Sequence, residues 1–118
     1  MYKCKQILFS NKIISVPPKL QSPGNPHQAL TMDQRVSIFC SIVDGDEPVT
    51  MTWQKDGIPL EIAEQENIVI TSGEHDSILR INKLDAHHMG NYSCKAKNMA
   101  GTAVIFTFFE VKGMFWTI

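Results

Sequence analysis

Short alternations of apolar and polar residues dominate the chain. Over positions 36–43, Val36, Ile38, Cys40 and Ile42 alternate with Ser37, Phe39, Ser41 and Val43. That period of two predicts a strand with one face turned inward. Met51 and Trp53 alternate with Thr52 and Gln54, Leu79 and Ile81 share one face of 77–82, and Tyr92, Cys94 and Ala96 share one face of a later stretch. A β-branched run at 67–71 and an apolar-rich run at 102–111 predict two more strands. Polar turn clusters stand between them: Asp44-Gly45-Asp46-Glu47-Pro48, Lys55-Asp56-Gly57, Ser72-Gly73-Glu74 and Asn98-Met99-Ala100-Gly101. Strands separated by turn signals at roughly 8–12-residue spacing predict an all-β sandwich or barrel.

Helical signals are few. Positions 60–66 (LEIAEQE) and 84–89 each suit a single turn, the second with Asp85 as its cap. Neither is long enough to support a helical domain. Pro17, Pro18, Pro23 and Pro26 crowd the segment before the first clear strand. Proline lacks the N–H that an interior ladder uses, so this segment is expected at a sheet edge.

At 118 residues and 13.3 kDa the chain has room for one domain, not for two lobes around a cleft. Hydrophobic residues make up 43%, enough for one core and too many for a disordered chain. A formal net charge of −1 supplies no basic field, which argues against a nucleic-acid binder. No apolar run approaches the roughly 18 residues of a membrane span. The first residues carry early lysines and a short Ile7-Leu8-Phe9 that Asn11 and Lys12 interrupt, a poor signal peptide. Residues 1–15 are therefore expected to be a leader or a non-native N-terminal segment, 16–112 the folded module, and 113–118 a tail or linker.

Four residues decide the reading. Twelve residues separate Cys40 from Trp53, 53 separate Cys40 from Cys94, and Tyr92 lies two before Cys94. All four fall on inward positions of expected strands. This set resembles the immunoglobulin superfamily, a two-sheet Greek-key sandwich. The resemblance implies one disulfide, Cys40–Cys94, joining strands B and F of that fold. It implies that Trp53 packs against the disulfide and that Tyr92 hydrogen-bonds to the preceding corner. A cross-link closing so long a loop removes roughly 4 kcal/mol of unfolded-chain freedom. Leu79-x-Ile81-x-x-Leu84, Gly90-x-Tyr92-x-Cys94, the Asn98/Gly101 turn and Phe109-x-Val111 extend the likeness, which is to the intermediate (I-set) type. Leu79, Ile81 and Leu84 join Trp53 and Tyr92 as expected core residues. One departure stands out. The family's Asp two residues before the glycine is His88 here, and its usual Arg partner is missing, since no Arg lies between Arg35 and Arg80.

Within that superfamily, PPKLQSP, RVSIFCSIVDGDEPVTMTWQKDGIPL and HMGNYSCKAKN look most like the Dscam family of adhesion receptors. That resemblance implies an extracellular ectodomain module, one variable domain drawn from alternative exons of an arthropod receptor. It implies weak antiparallel homophilic pairing across cells through one sheet face, with neighbouring immunoglobulin domains as further partners. Two outer faces are candidates. One carries Ser37, Phe39, Ser41, Val69, Ile78, Arg80 and Asn82, an apolar spot with polar neighbours, with specificity expected at rim positions such as Arg80 and Glu74. The other carries Val104, Phe106 and Phe108 outward along one strand. The resemblance favours the first. A spacer domain without binding of its own, and a soluble immune-type receptor for microbial ligands, are the competing readings.

Other features add little chemistry. Cys4 is left over and falls in the N-terminal segment, outside the expected module. His87-His88 with Asp85 reads as a solvated corner, because adjacent side chains rarely converge on one ion. Asp44-Gly45-Asp46-Glu47 lacks the spacing of a calcium loop and reads as a plain turn. Asn91-Tyr92-Ser93 is an N-glycosylation sequon with Asn91 expected to point outward. No nucleophile elbow, glycine-rich phosphate loop or HExxH occurs. No enzyme, cofactor, metal, nucleic acid or small-molecule substrate is therefore expected.

Overall fold

The computed structural model describes residues 6–9, 12–21, 24–60 and 67–113. Strands β1 (Gln6–Phe9) and β2 (Lys12–Ser15) pair antiparallel as a sheet of their own. The remaining strands form two sheets. One is built from β3 (Lys19–Gln21), β5 (Val36–Asp44), β9 (Asp76–Ile81) and β8 (Ile68–Ser72), in that order. The other runs β4 (His27–Thr31), β11 (Gly101–Lys112), β10 (Gly90–Asn98), β6 (Thr50–Lys55) and β7 (Ile58–Pro59).

Local chemistry sets the connections. At the β6–β7 hairpin Asp56 and Gly57 adopt φ of 52° and 83°. An Asp-Gly pair tolerates this left-handed backbone, whose twist matches that of the paired strands. Asn98 shapes the β10–β11 hairpin, its Oδ1 accepting from the N–H of Ala100 at 2.8 Å and of Gly101 at 3.0 Å. The proline-rich segment supplies two edge strands rather than one. β3 lies on the four-stranded sheet, and the chain then crosses over so that β4 pairs parallel with β11 on the other sheet. Phe108 N–H donates to Pro26 O at 2.7 Å where the crossing ends.

The core lies between the sheets. Cys40 and Cys94 are joined, with Cα atoms 6.4 Å apart and a sequence separation of 54. Trp53 stands directly across from Cys94, and Ser77 directly across from Cys40. The Trp53 indole is buried, and its N–H donates to Ser77 Oγ at 2.8 Å, which gives its polar edge a partner inside the sandwich. Ile38, Leu79, Ile81, Leu84, Phe109 and Val111 fill the rest. The rings of Tyr92 and Phe109 meet at 4.9 Å with a 45° tilt.

Two corners differ from the sequence expectation. The His87-His88 corner is not simply solvated: His87 is exposed, but His88 is buried within a single 3₁₀ turn, Ala86–His88. Asp85 caps that turn as expected, its Oδ1 accepting from His87 N–H at 2.8 Å. His88 Nδ1 accepts from Asp85 N–H at 3.0 Å, completing a reciprocal capping box in which a histidine replaces the usual Glu or Gln. The acidic turn at 44–48 is likewise more than a plain turn, because Asp46 is buried. Its Oδ2 accepts from Val16 N–H at 2.9 Å, and Asn98 Nδ2 donates to the carbonyls of both Val16 and Asp46. Gly45 is required beside it: a Cβ there would lie 2.8 Å from Pro18 Cα, and its φ is 130°. The possible helical turn at 60–66 lies outside the described residues except for Leu60, which is buried. Cys4 also lies outside them.

Candidate recognition surface

The outer face of the four-stranded sheet is built by alternation. Each residue that points inward on β5 and β9 leaves its neighbour pointing out. Register arranges the outward residues in three rows across the sheet. Gln21, Ser41 and Asp76 form one; Phe39, Ile78 and Thr71 the next; Ser37, Arg80 and Val69 the third. Phe39 is 57% exposed and sits in the middle row, with Ile78 half-buried beside it. Val69 and Arg80 are exposed in the third row. Asn82 lies just past the end of β9, in the bend where its N–H donates to Asn67 O at 2.9 Å, so it belongs to the margin of the face and not to the strand.

On the five-stranded sheet Val104 and Phe106 are exposed, but Phe108 is half-buried. The expectation of three bare apolar residues in a row therefore holds for two. The cause is β4: the His27 ring lies 5.3 Å from that of Phe108 and is held there by Glu110, whose Oε1 is 3.1 Å from His27 Nε2. Toward β6 this face opens into a shallow groove of about 570 Å³ lined by Thr50, Thr52, Gln54, Lys95, Lys97 and Met99. Asn91 is exposed on the same face, opposite Phe108.

The corner between the sheets is electrostatically fixed. Tyr92 O–H donates to His88 O at 2.6 Å. Burial pushes the phenol pKa up, and the Asp56 and Asp85 carboxylates add to the rise. Partial burial pushes the Asp85 carboxyl up, but the His87 backbone N–H, His88 and the His87 ring outweigh it and hold the group below its ordinary value.

The sequence model for the immunoglobulin domain matches residues 17–98. The chain belongs to the immunoglobulin family. It is 42% identical over 87 residues to the human cell adhesion molecule DSCAM, which covers 74% of the chain and 4% of that protein. It is 32% identical over 99 residues to Drosophila melanogaster Dscam2, covering 84% of the chain and 5% of that protein. The higher identity to the human protein does not single out an arthropod source. Its fold superposes on the Dscam1 Ig7 domain, isoform 5, with a TM-score of 0.74, 28% identity and coverage of 83% of this chain and 99% of that one. The chain thus spans only about a twentieth of the curated relatives it matches.

This immunoglobulin domain belongs to a non-enzymatic family, and its chemistry is that of a surface. Among the described residues, no three His, Cys, Asp or Glu side chains lie together as a metal site. The sequence-predicted outward residues of the four-stranded sheet, other than Asn82, do come together on one face. Sequence reasoning missed Asp46 and His88 as buried, hydrogen-bonded residues. The signal for His88 was present in its spacing, three residues after a capping Asp. Asp46 carried none, because its partners Val16 and Asn98 are remote in sequence.

Proposed function

We propose that residues 16–112 form an extracellular adhesion module that binds a second copy of itself through the outer face of the four-stranded sheet. The observation that carries this is the 57%-exposed Phe39 at the centre of a polar-rimmed face, in a chain homologous to Dscam immunoglobulin domains. An apolar centre with a charged rim is the composition of an interface. The charges also suit self-pairing. Asp76 and Arg80 lie two residues to either side of Ile78 on β9. A two-fold axis through the Phe39–Ile78 row inverts the rows, so Arg80 of one copy meets Asp76 of the other, twice. The disulfide fits an oxidising compartment. The family match beginning at residue 17 and the separate pairing of β1 with β2 favour a module starting near Val16. Neighbouring immunoglobulin domains of a longer receptor are the expected flanking partners.

One face buries about 800 Å² or less per copy, a weak contact that gains strength from many receptors acting together. Sedimentation of the oxidised domain over a range of concentrations tests this. The wild type is expected to dimerise and Phe39→Asp to stay monomeric while folded. A monomer at every concentration would sink the proposal and favour a spacer role.

A further inference from the structure

We propose that Asn91 carries an N-linked glycan and that this glycan covers the Val104–Phe106–Phe108 strip on the five-stranded sheet. The inference rests on the secretory routing implied by the proposed function, but not on self-binding. Asn91-Tyr92-Ser93 is the one Asn-x-Ser/Thr tripeptide with x other than Pro in the chain. Asn91 is exposed, and its backbone is held on both sides: its N–H donates to Asp56 Oδ1 at 2.9 Å, and its O accepts from Asp56 N–H at 2.8 Å. The side chain thus projects from a fixed strand position. Phe108 lies directly across from Asn91, and Phe106 lies across from Ser93. The diagonal between Asn91 and Phe106 is about 7–8 Å in an antiparallel pair, within reach of a sugar attached to the carboxamide. Phe106, 56% exposed, offers an apolar platform to the faces of pyranose rings, and Val104, 40% exposed, continues it.

The same geometry sets the time of transfer. Ser93, whose hydroxyl orients the acceptor amide, is buried in the folded sheet between Phe106 of β11 and Gln54 of β6. Transfer therefore takes place on the unfolded chain, before β10 is enclosed. In that step the Asn91 amide nitrogen bonds to the anomeric carbon of a lipid-diphosphate-linked oligosaccharide. The carbon–oxygen bond to the diphosphate breaks, the lipid diphosphate leaves with the electron pair, and the amide gives up one proton. No oxidant or reductant takes part.

The test is secretion of the whole 118-residue chain from animal cells behind an added leader, followed by intact-mass measurement. The added leader separates this test from the chain's own localisation. A glycan mass that N-glycosidase removes is expected on the wild type and on Ser93→Thr, and absent from Asn91→Gln and Ser93→Ala. An unmodified wild type would overturn the site. Refolded bacterial protein is expected to remain unmodified by microsomes that glycosylate the nascent chain; modification of the folded domain would overturn the proposed timing. Binding of a hydrophobic dye should rise when the sugar is removed, and that rise should be lost in Phe106→Ser. Equal dye binding before and after removal would overturn the covering role. Persistence of dimers in the glycosylated protein agrees with pairing through the opposite face. Loss of dimers on glycosylation would instead count against that pairing face and leave the glycan site standing.

Discussion

The two sides of the β5–β9 pair follow the same backbone ladder and obey different rules. Inside, Ile38, Cys40, Ser77, Leu79 and Ile81 are all buried, and no buried side-chain polar atom among the described residues lacks a hydrogen-bond partner. Outside, one residue along, Phe39 stands in water next to Ser37, Ser41 and Arg80. The inner side is constrained by packing, where a changed volume or an orphaned donor costs several kcal/mol. The outer side meets no such requirement in the isolated domain, so the 57%-exposed Phe39 adds little to folding beyond its cross-strand contact with Ile78. This difference separates what holds the domain together from what it presents.

The largest effect should come from the inner side. Cys94→Ala opens a loop of 54 residues, and the chain-entropy argument gives a loss of about 4 kcal/mol. Urea unfolding with and without reductant measures it. A loss under about 1 kcal/mol would mean that the sandwich is held by packing alone. Because dimerisation requires the folded sheet, self-association should fall with it.

Phe39→Asp should show the opposite pattern, with unfolding midpoint little changed and self-association lost. Central aromatic anchors typically contribute about 2–4 kcal/mol to association. Charge exchange sharpens the geometry. Arg80→Glu and Asp76→Arg should each weaken self-association, and mixing the two should restore pairing between them, since every 76–80 contact then joins opposite charges. Failure of the mixture to pair would exclude the proposed two-fold arrangement while leaving the face itself in place.

How much was legible in the sequence follows the same division. Cys40, Trp53, Tyr92 and Cys94 could be placed because packing around a disulfide fixes residue types at fixed spacings. The outward positions of β5 and β9 could be assigned because alternation is a local property. What escaped depended on contacts between remote segments. Phe108 looked as bare as Phe106 because the His27 that covers it lies 81 positions earlier, on a strand whose parallel pairing with β11 has no local signature. Asp46 looked like turn punctuation because its partners, Val16 and Asn98, flank it from 30 and 52 positions away.

Tyr92→Phe removes one inward hydrogen bond, to His88 O. The expected loss is about 1–2 kcal/mol, with the dimer otherwise intact. The pH profile gives a second signature. Because folding raises the phenol pKa, the neutral form is favoured in the folded state, and this stability is full below the unfolded value of about 10 and lost as pH rises above it. Tyr92→Phe should flatten that alkaline loss. Asp85 acts at the other end. Its lowered pKa adds stability above the ordinary carboxylate value near 4 that is lost as pH falls below it, so Asp85→Asn should flatten the acid limb of the unfolding curve. An unchanged acid limb would mean that the cap is formed equally well by a neutral side chain.

The smallest effect should follow Phe106→Ser in unglycosylated protein. Phe106 is nearly as exposed as Phe39, at 56% against 57%, so exposure alone does not distinguish the two faces. Their surroundings do. Phe39 has half-buried Ile78 beside it and Asp76 and Arg80 in the two flanking rows, whereas the rows flanking Phe106 hold Lys95 on one side and Asn91 on the other, with Glu110 turned to His27 beyond Phe108. A two-fold axis through the Phe106 row would set Lys95 of one copy against Asn91 of the other, a cation facing a neutral amide, so this face lacks the opposite-charge pairs that the other face offers to self-pairing. Sedimentation of Phe106→Ser should therefore match the wild type. A drop in self-association as large as that of Phe39→Asp would reverse the assignment of the faces without disturbing the fold, because both side chains lie outside the core.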